Sequence, residues 1–152
     1  MHLKGTHTFN APADQIWSKL MDTDTLARIT PGVSKLEEIE KDKYKAIAQV
    51  KMGPVSGSFS GNLDVNDKDE PNSFVLHIKQ KSKIGNVAAD VKISLNSISE
   101  EETELSFDGD AKLSGLLART GQRVMTGVAN TLSKQFFKAL EDELENSSGQ
   151  TA

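Results

Sequence analysis

The feature that most constrains this chain is a change of period. From Val33 to Leu113 apolar residues recur mostly at every second position, and after Gly115 they recur at helical spacing. Period two belongs to strands with one buried face; the longer period belongs to an amphipathic helix. The first region divides into strands at Val33–Ile39, Tyr44–Met52, Val55–Val65, Phe74–Ile78, Val87–Leu95 and Leu105–Ala111. Asp67–Asn72 and Glu100–Glu102 read as turns by composition. Such short connections predict an antiparallel meander.

Ahead of this run, Leu3, Gly5, His7 and Phe9 alternate with polar residues and predict one more strand. Ala11-Pro12-Ala13-Asp14 places Pro and an acid where a helix begins. Asp22 or Thr23 caps a second short helix, which Pro31-Gly32 ends. The C-terminal helix is expected to run unbroken from about Gly115 to about Glu145, with Val124, Met125, Val128, Leu132, Phe136 and Leu140 on one face. A lone helix buries such a stripe against a sheet. The expected class is therefore α+β: a curved antiparallel sheet of about seven strands grips a long C-terminal helix, with two short helices after strand one. A single domain is expected over residues 1–146, with a disordered tail over 147–152.

At 152 residues the chain can bury roughly 70% of its unfolded surface, enough for a core that encloses a cavity. It has no Cys, which removes disulfides, thiol nucleophiles and Cys-based metal sites. MHLKGTHTFN has no apolar signal region, and no apolar run approaches the roughly 20 residues of a membrane span. A cytoplasmic protein is expected. A net charge of −4 argues against nucleic-acid binding. Between Asp110 and Glu141, however, there is no acid, and Arg119, Arg123, Lys134 and Lys138 fall on one helical stripe. That stripe is either a solvated face or a docking surface for an acidic partner or anionic headgroups.

The strand in KMGPVSGSFSG, Lys51 to Gly61, leaves two holes in its inward face, at Gly57 and Gly61 on either side of Phe59. Glycine there lets a strand bend where a sheet curls, or opens room for a ligand. Gly109 repeats the feature, and Gly121 falls on the apolar face of the expected helix. The candidate ligand-binding residues are Met52, Gly57, Phe59, Gly61, Leu76, Ile78, Val91, Phe107, Gly121, Met125, Val128 and Leu132. Candidates for catalysis are sparse. His7 shares parity with Leu3 and Phe9 and reads as a packed residue, His77 as solvent-facing and His2 as terminal. Asp108 and Asp110 read as a solvated face. No catalytic residue, metal ligand or cofactor is expected.

The element order is similar to the helix-grip fold of the START-like (SRPBCC) superfamily. FNAPADQIWSKLMD (Phe9–Asp22), TPGV (Thr30–Val33), KMGPVSGSFSG and SGLLARTGQRVMTGVANTLSKQFFKAL (Ser114–Leu140) resemble the G-subunit family of carbon monoxide dehydrogenase. The resemblance implies a cavity between sheet and helix. It implies a non-catalytic accessory of a molybdenum-containing dehydrogenase that binds a quinone or lipid. It also implies peripheral contact at the inner face of the membrane. An enzyme of the same fold, such as a cyclase, dehydratase or hydrolase, would need an ionisable pair in the cavity, for which His7 and Tyr44 are the candidates. A pure assembly factor would instead have a filled core.

Overall fold

In the computed structural model the backbone is described for residues 1–150 and the side chains for residues 1–146. The chain begins with β1 (His2–Phe9), followed by α1 (Ala13–Leu20) and α2 (Thr23–Ile29). Six strands follow: β2 (Val33–Glu40), β3 (Lys43–Met52), β4 (Val55–Asp69), β5 (Ser73–Ser82), β6 (Gly85–Ser97) and β7 (Thr103–Leu113). Two helices close the chain, α3 (Gly115–Thr120) and α4 (Gln122–Gln150).

The seven strands form one antiparallel sheet in the order β1-β7-β6-β5-β4-β3-β2. Strands β2 to β7 are the expected meander, and β1 pairs along β7 from His2↔Asp110 to Phe9↔Thr103. The connection from β1 to β2 thus crosses from one sheet edge to the other, carrying α1 and α2 with it. Asp22 caps α2 as the sequence suggests: its carboxylate accepts from the Thr25 amide at 3.0 Å. Hydrogen bonds from Thr25 and the nearby Arg28 charge hold the Asp22 carboxyl below the usual carboxylate range.

The expected single C-terminal helix is two. Gly121 adopts φ 106° and ψ 143°, a conformation open to glycine and rarely to other residues, and it separates α3 from α4. The break lets α3 dock on the β5–β6 turn. The Leu117 amide donates to Ile84 carbonyl at 3.0 Å, the Ser114 amide donates to Asn86 carbonyl at 3.1 Å, and Leu117 is 1% exposed. Helix α4 continues past the end expected near Glu145, into the segment expected to be a loose tail. The last residues of that expected tail, 151–152, lie outside those described.

The core is in two pieces. The larger joins Phe9, Ile16, Trp17, Leu20 and Ile29 to Tyr44, Phe74, Leu95 and Leu105 and to Phe137, Leu140 and Leu144 of α4. The smaller joins Val55, Phe59, Leu117 and Met125. Helix α4 is therefore anchored near its start by Met125 and near its end by Phe137, Leu140 and Leu144. The buried face differs in detail from the expected one: Val124 is 43% exposed, and Phe137 rather than Phe136 is buried.

Candidate ligand-binding cavity

Small residues on the concave face create the void. Ala46 and Ala48 of β3 lie opposite Gly61 and Phe59 of β4, and Ala89 of β6 lies opposite Ala111 of β7. Each alanine stands where its strand's period calls for a larger apolar residue. The missing volume leaves a lobe of about 410 Å³ over β3, β4 and β6, roofed by Leu117, Met125, Val128, Ala129 and Leu132. A second lobe of about 320 Å³ extends along Leu76, Ile93, Leu105 and Phe107, under Ser133, Phe136 and Phe137. Leu3, Leu26, Ile78, Val91 and Leu132 border both lobes, so the two adjoin. They lie between the two core clusters, where α4 passes from one anchor to the other. Volumes of this size fall within the roughly 300–1,000 Å³ of small-molecule sites.

The walls are almost wholly apolar. Polar side chains in the lining are Thr30 and Gln80 in the first lobe, and Thr30 and Ser133 in the second. Gln80 Oε1 is sealed from solvent and has no hydrogen-bond partner among the described residues.

Eight of the sequence-derived candidates line the lobes: Phe59, Leu76, Ile78, Val91, Phe107, Met125, Val128 and Leu132. Four do not. Met52 sits at the β3–β4 hairpin end, paired with Val55. At Gly57 an added Cβ would meet the Ile84 side chain at 3.9 Å, so Ile84 occupies that hole. At Gly61 a Cβ would fall 1.9 Å from the Lys79 carbonyl oxygen. This glycine lets β4 and β5 approach closely, and Gly109 does the same against Asp90, at 2.4 Å. Gly121 is the helix break and does not line the void. The alanines and Gln80 were missed. Their signal was there: Gln80 continues the inward series Phe74, Leu76, Ile78.

Candidates for chemistry sit elsewhere. His7 pairs with Glu141, stacks on Phe137 at 5.1 Å and touches Phe9, outside the lining. Tyr44 is buried in the larger core; burial, then the Glu38 carboxylate, pushes its hydroxyl pKa up. His2 lies against Asp110 and Asp108 at 3.0 and 3.1 Å, and His77 pairs with Asp90, all toward the outer face. Among the described residues no group of three or more His, Asp or Glu is placed to hold a metal ion.

The basic residues divide between elements. Arg119 belongs to α3, whereas Arg123, Lys134 and Lys138 belong to α4, so helical spacing does not join all four. All are exposed, and Lys138 pairs with Asp142 at 2.8 Å. Helix α4 is tied to α2 by Arg28, which donates to both Glu143 oxygens at 2.7 and 3.3 Å. Hydrogen bonds from Arg28 hold the Glu143 carboxyl below its usual range.

Residues 5–145 match the family model for the G subunit of carbon monoxide dehydrogenase (CoxG). Among curated proteins none matches significantly. A conserved protein from Geobacillus kaustophilus is 33% identical over 97% of both chains, with a TM-score of 0.94. A START superfamily protein from Mycobacterium smegmatis is 16% identical over 95% of this chain and 97% of its own, with a TM-score of 0.76. The Zhui aromatase/cyclase from Streptomyces sp. R1128 is 19% identical over 95% and 93%, with a TM-score of 0.70. The last two likenesses concern the fold, which is the START-like helix grip.

Proposed function

The chain belongs to the CoxG family, the G subunit of carbon monoxide dehydrogenase, and from that premise we propose that it is an accessory protein which carries an apolar ligand, a quinone or another lipid, between sheet and α4. The observation that carries this reading is the void itself: two adjoining lobes of about 410 and 320 Å³ with almost no polar lining. A pure assembly factor has no use for such a space, because unfilled volume costs packing energy. An enzyme of this fold would place an ionisable pair in the lining, and neither His7 nor Tyr44 stands there. The family supports a molybdenum-containing dehydrogenase as the partner.

Peripheral membrane contact belongs to the same reading. No helix among the described residues is long and apolar enough to cross a membrane. On either side of Gly121, Leu116 and Val124 are exposed beside Arg119 and Arg123. Apolar side chains among cations suit an anionic bilayer surface. Vesicle cosedimentation of Arg119→Glu/Arg123→Glu should lose binding at low salt, and wild-type binding should itself fade as salt rises.

The test of ligand carriage is titration with N-phenyl-1-naphthylamine, a neutral fluorescent probe. Wild type should bind it, and Ala48→Leu/Ala89→Leu, which fills the first lobe, should weaken binding at least tenfold while remaining folded by circular dichroism. Equal binding by the folded double variant would place the ligand elsewhere.

A further inference from the structure

The most informative polar atom in the molecule is Gln80 Oε1. It is closed off from solvent, borders the first lobe and has no hydrogen-bond partner among the described residues. Its position follows from the sheet. Gln80 occupies the inward face of β5, two residues beyond Ile78, with Gly61 and Val87 as cross-strand neighbours. Gly61 has no side chain to cover it, so the amide lies along a wall otherwise built of Ile78, Val87 and Ala89. A methionine would fill the same volume with no polar atom to satisfy. Glutamine here leaves a buried acceptor unpaired, which disfavours the empty protein. The residue makes sense when something entering the lobe donates to it.

Resting on the reading of an apolar-ligand carrier, we propose that Gln80 is the specificity-determining residue of the cavity and that the ligand carries a hydroxyl which donates to Gln80 Oε1. The ligand class is thereby narrowed to a largely apolar alcohol, phenol or hydroquinone. The placement also sets its direction. Gln80 borders the first lobe and not the second, so the hydroxyl end lies in the first lobe. The apolar remainder passes Ile78 and Val91 into the second, toward Phe107. A site that hydrogen-bonds a hydroxyl rejects the analogue without one, because its own polar group is then left unpaired. Oxidation of a hydroquinone to its quinone removes that donor, so the reduced form binds more tightly.

The probes are 2-naphthol, which donates, and 2-methoxynaphthalene, which matches its ring system and only accepts. Affinities are measured by calorimetry for wild type and Gln80→Met. Wild type should favour 2-naphthol, and Gln80→Met should shrink that preference about tenfold, the scale of one buried hydrogen bond. The methoxy compound should bind the variant at least as well as wild type. In wild type the Gln80 side-chain amide resonances should move on adding 2-naphthol and much less with the methoxy compound, a readout that does not depend on a variant folding. If both proteins show the same preference, or the amide responds equally to both probes, the inference is overturned while the carrier reading stands. If neither probe binds wild type, the carrier reading falls and takes this inference with it.

Discussion

Gly61 and Gly57 sit four residues apart on the same face of one strand, yet they do different things. A Cβ at Gly61 would run into the backbone of β5, whereas at Gly57 it would make ordinary contact with Ile84. Gly61→Ala should therefore destabilise by about 1–3 kcal/mol, as overpacking does. Gly57→Ala should be neutral or stabilising by up to about 1 kcal/mol, since a strand glycine carries an entropic cost. Urea unfolding of the two variants checks the contrast, and equal losses would refute it. Gly121→Ala should cost roughly 1–3 kcal/mol, because φ 106° strains any residue with a Cβ. At this scale the sequence was only half legible. The glycines announced that something approached or bent, but only the paired register distinguishes a neighbouring carbonyl from a ligand. The alanines that make the void were passed over because alanine fits a strand's apolar period without comment. Gln80 broke that period openly and was the more readable signal.

The elements themselves were largely legible, because each has a clear period and the turns between strands are short. Sheet class, strand count and the two short helices follow from that. The break between α3 and α4 did not, since Gly121 also continues a helical count, and only the docking of Leu117 against the β5–β6 turn decides the matter. What holds α4 in place depends on pH. Hydrogen bonds to Arg28 lower the Glu143 carboxyl pKa in the folded state. A lowered carboxyl stabilises the fold above its unfolded value, near roughly pH 4.3, and that contribution is lost as pH falls through the folded value. Asp22, lowered by Thr25, acts in the same direction. Thermal melts of wild type should thus fall below roughly pH 4.3. Glu143→Gln should melt lower than wild type at pH 7, with the gap closing in acid. A gap that stays constant down to pH 3 would show that the Arg28 pair contributes nothing to holding α4.

At the scale of the whole molecule, two apolar clusters clamp the two ends of a roof helix and leave the space between them unfilled. Fold and cavity were both anticipated from the chain; the position of the cavity's small residues and its unpaired amide were not. Such a void in a stable protein is accounted for by an occupant, and the central claim is that the occupant is apolar. The direct measurement is native mass spectrometry of protein purified from its own host, with the bound fraction extracted and identified. The account predicts a stoichiometric apolar adduct carrying a hydroxyl, retained by wild type and lost from Ala48→Leu/Ala89→Leu. Wild-type protein that carries no adduct and takes up none when mixed with host lipid extract, or a double variant that retains the adduct in full, would contradict it.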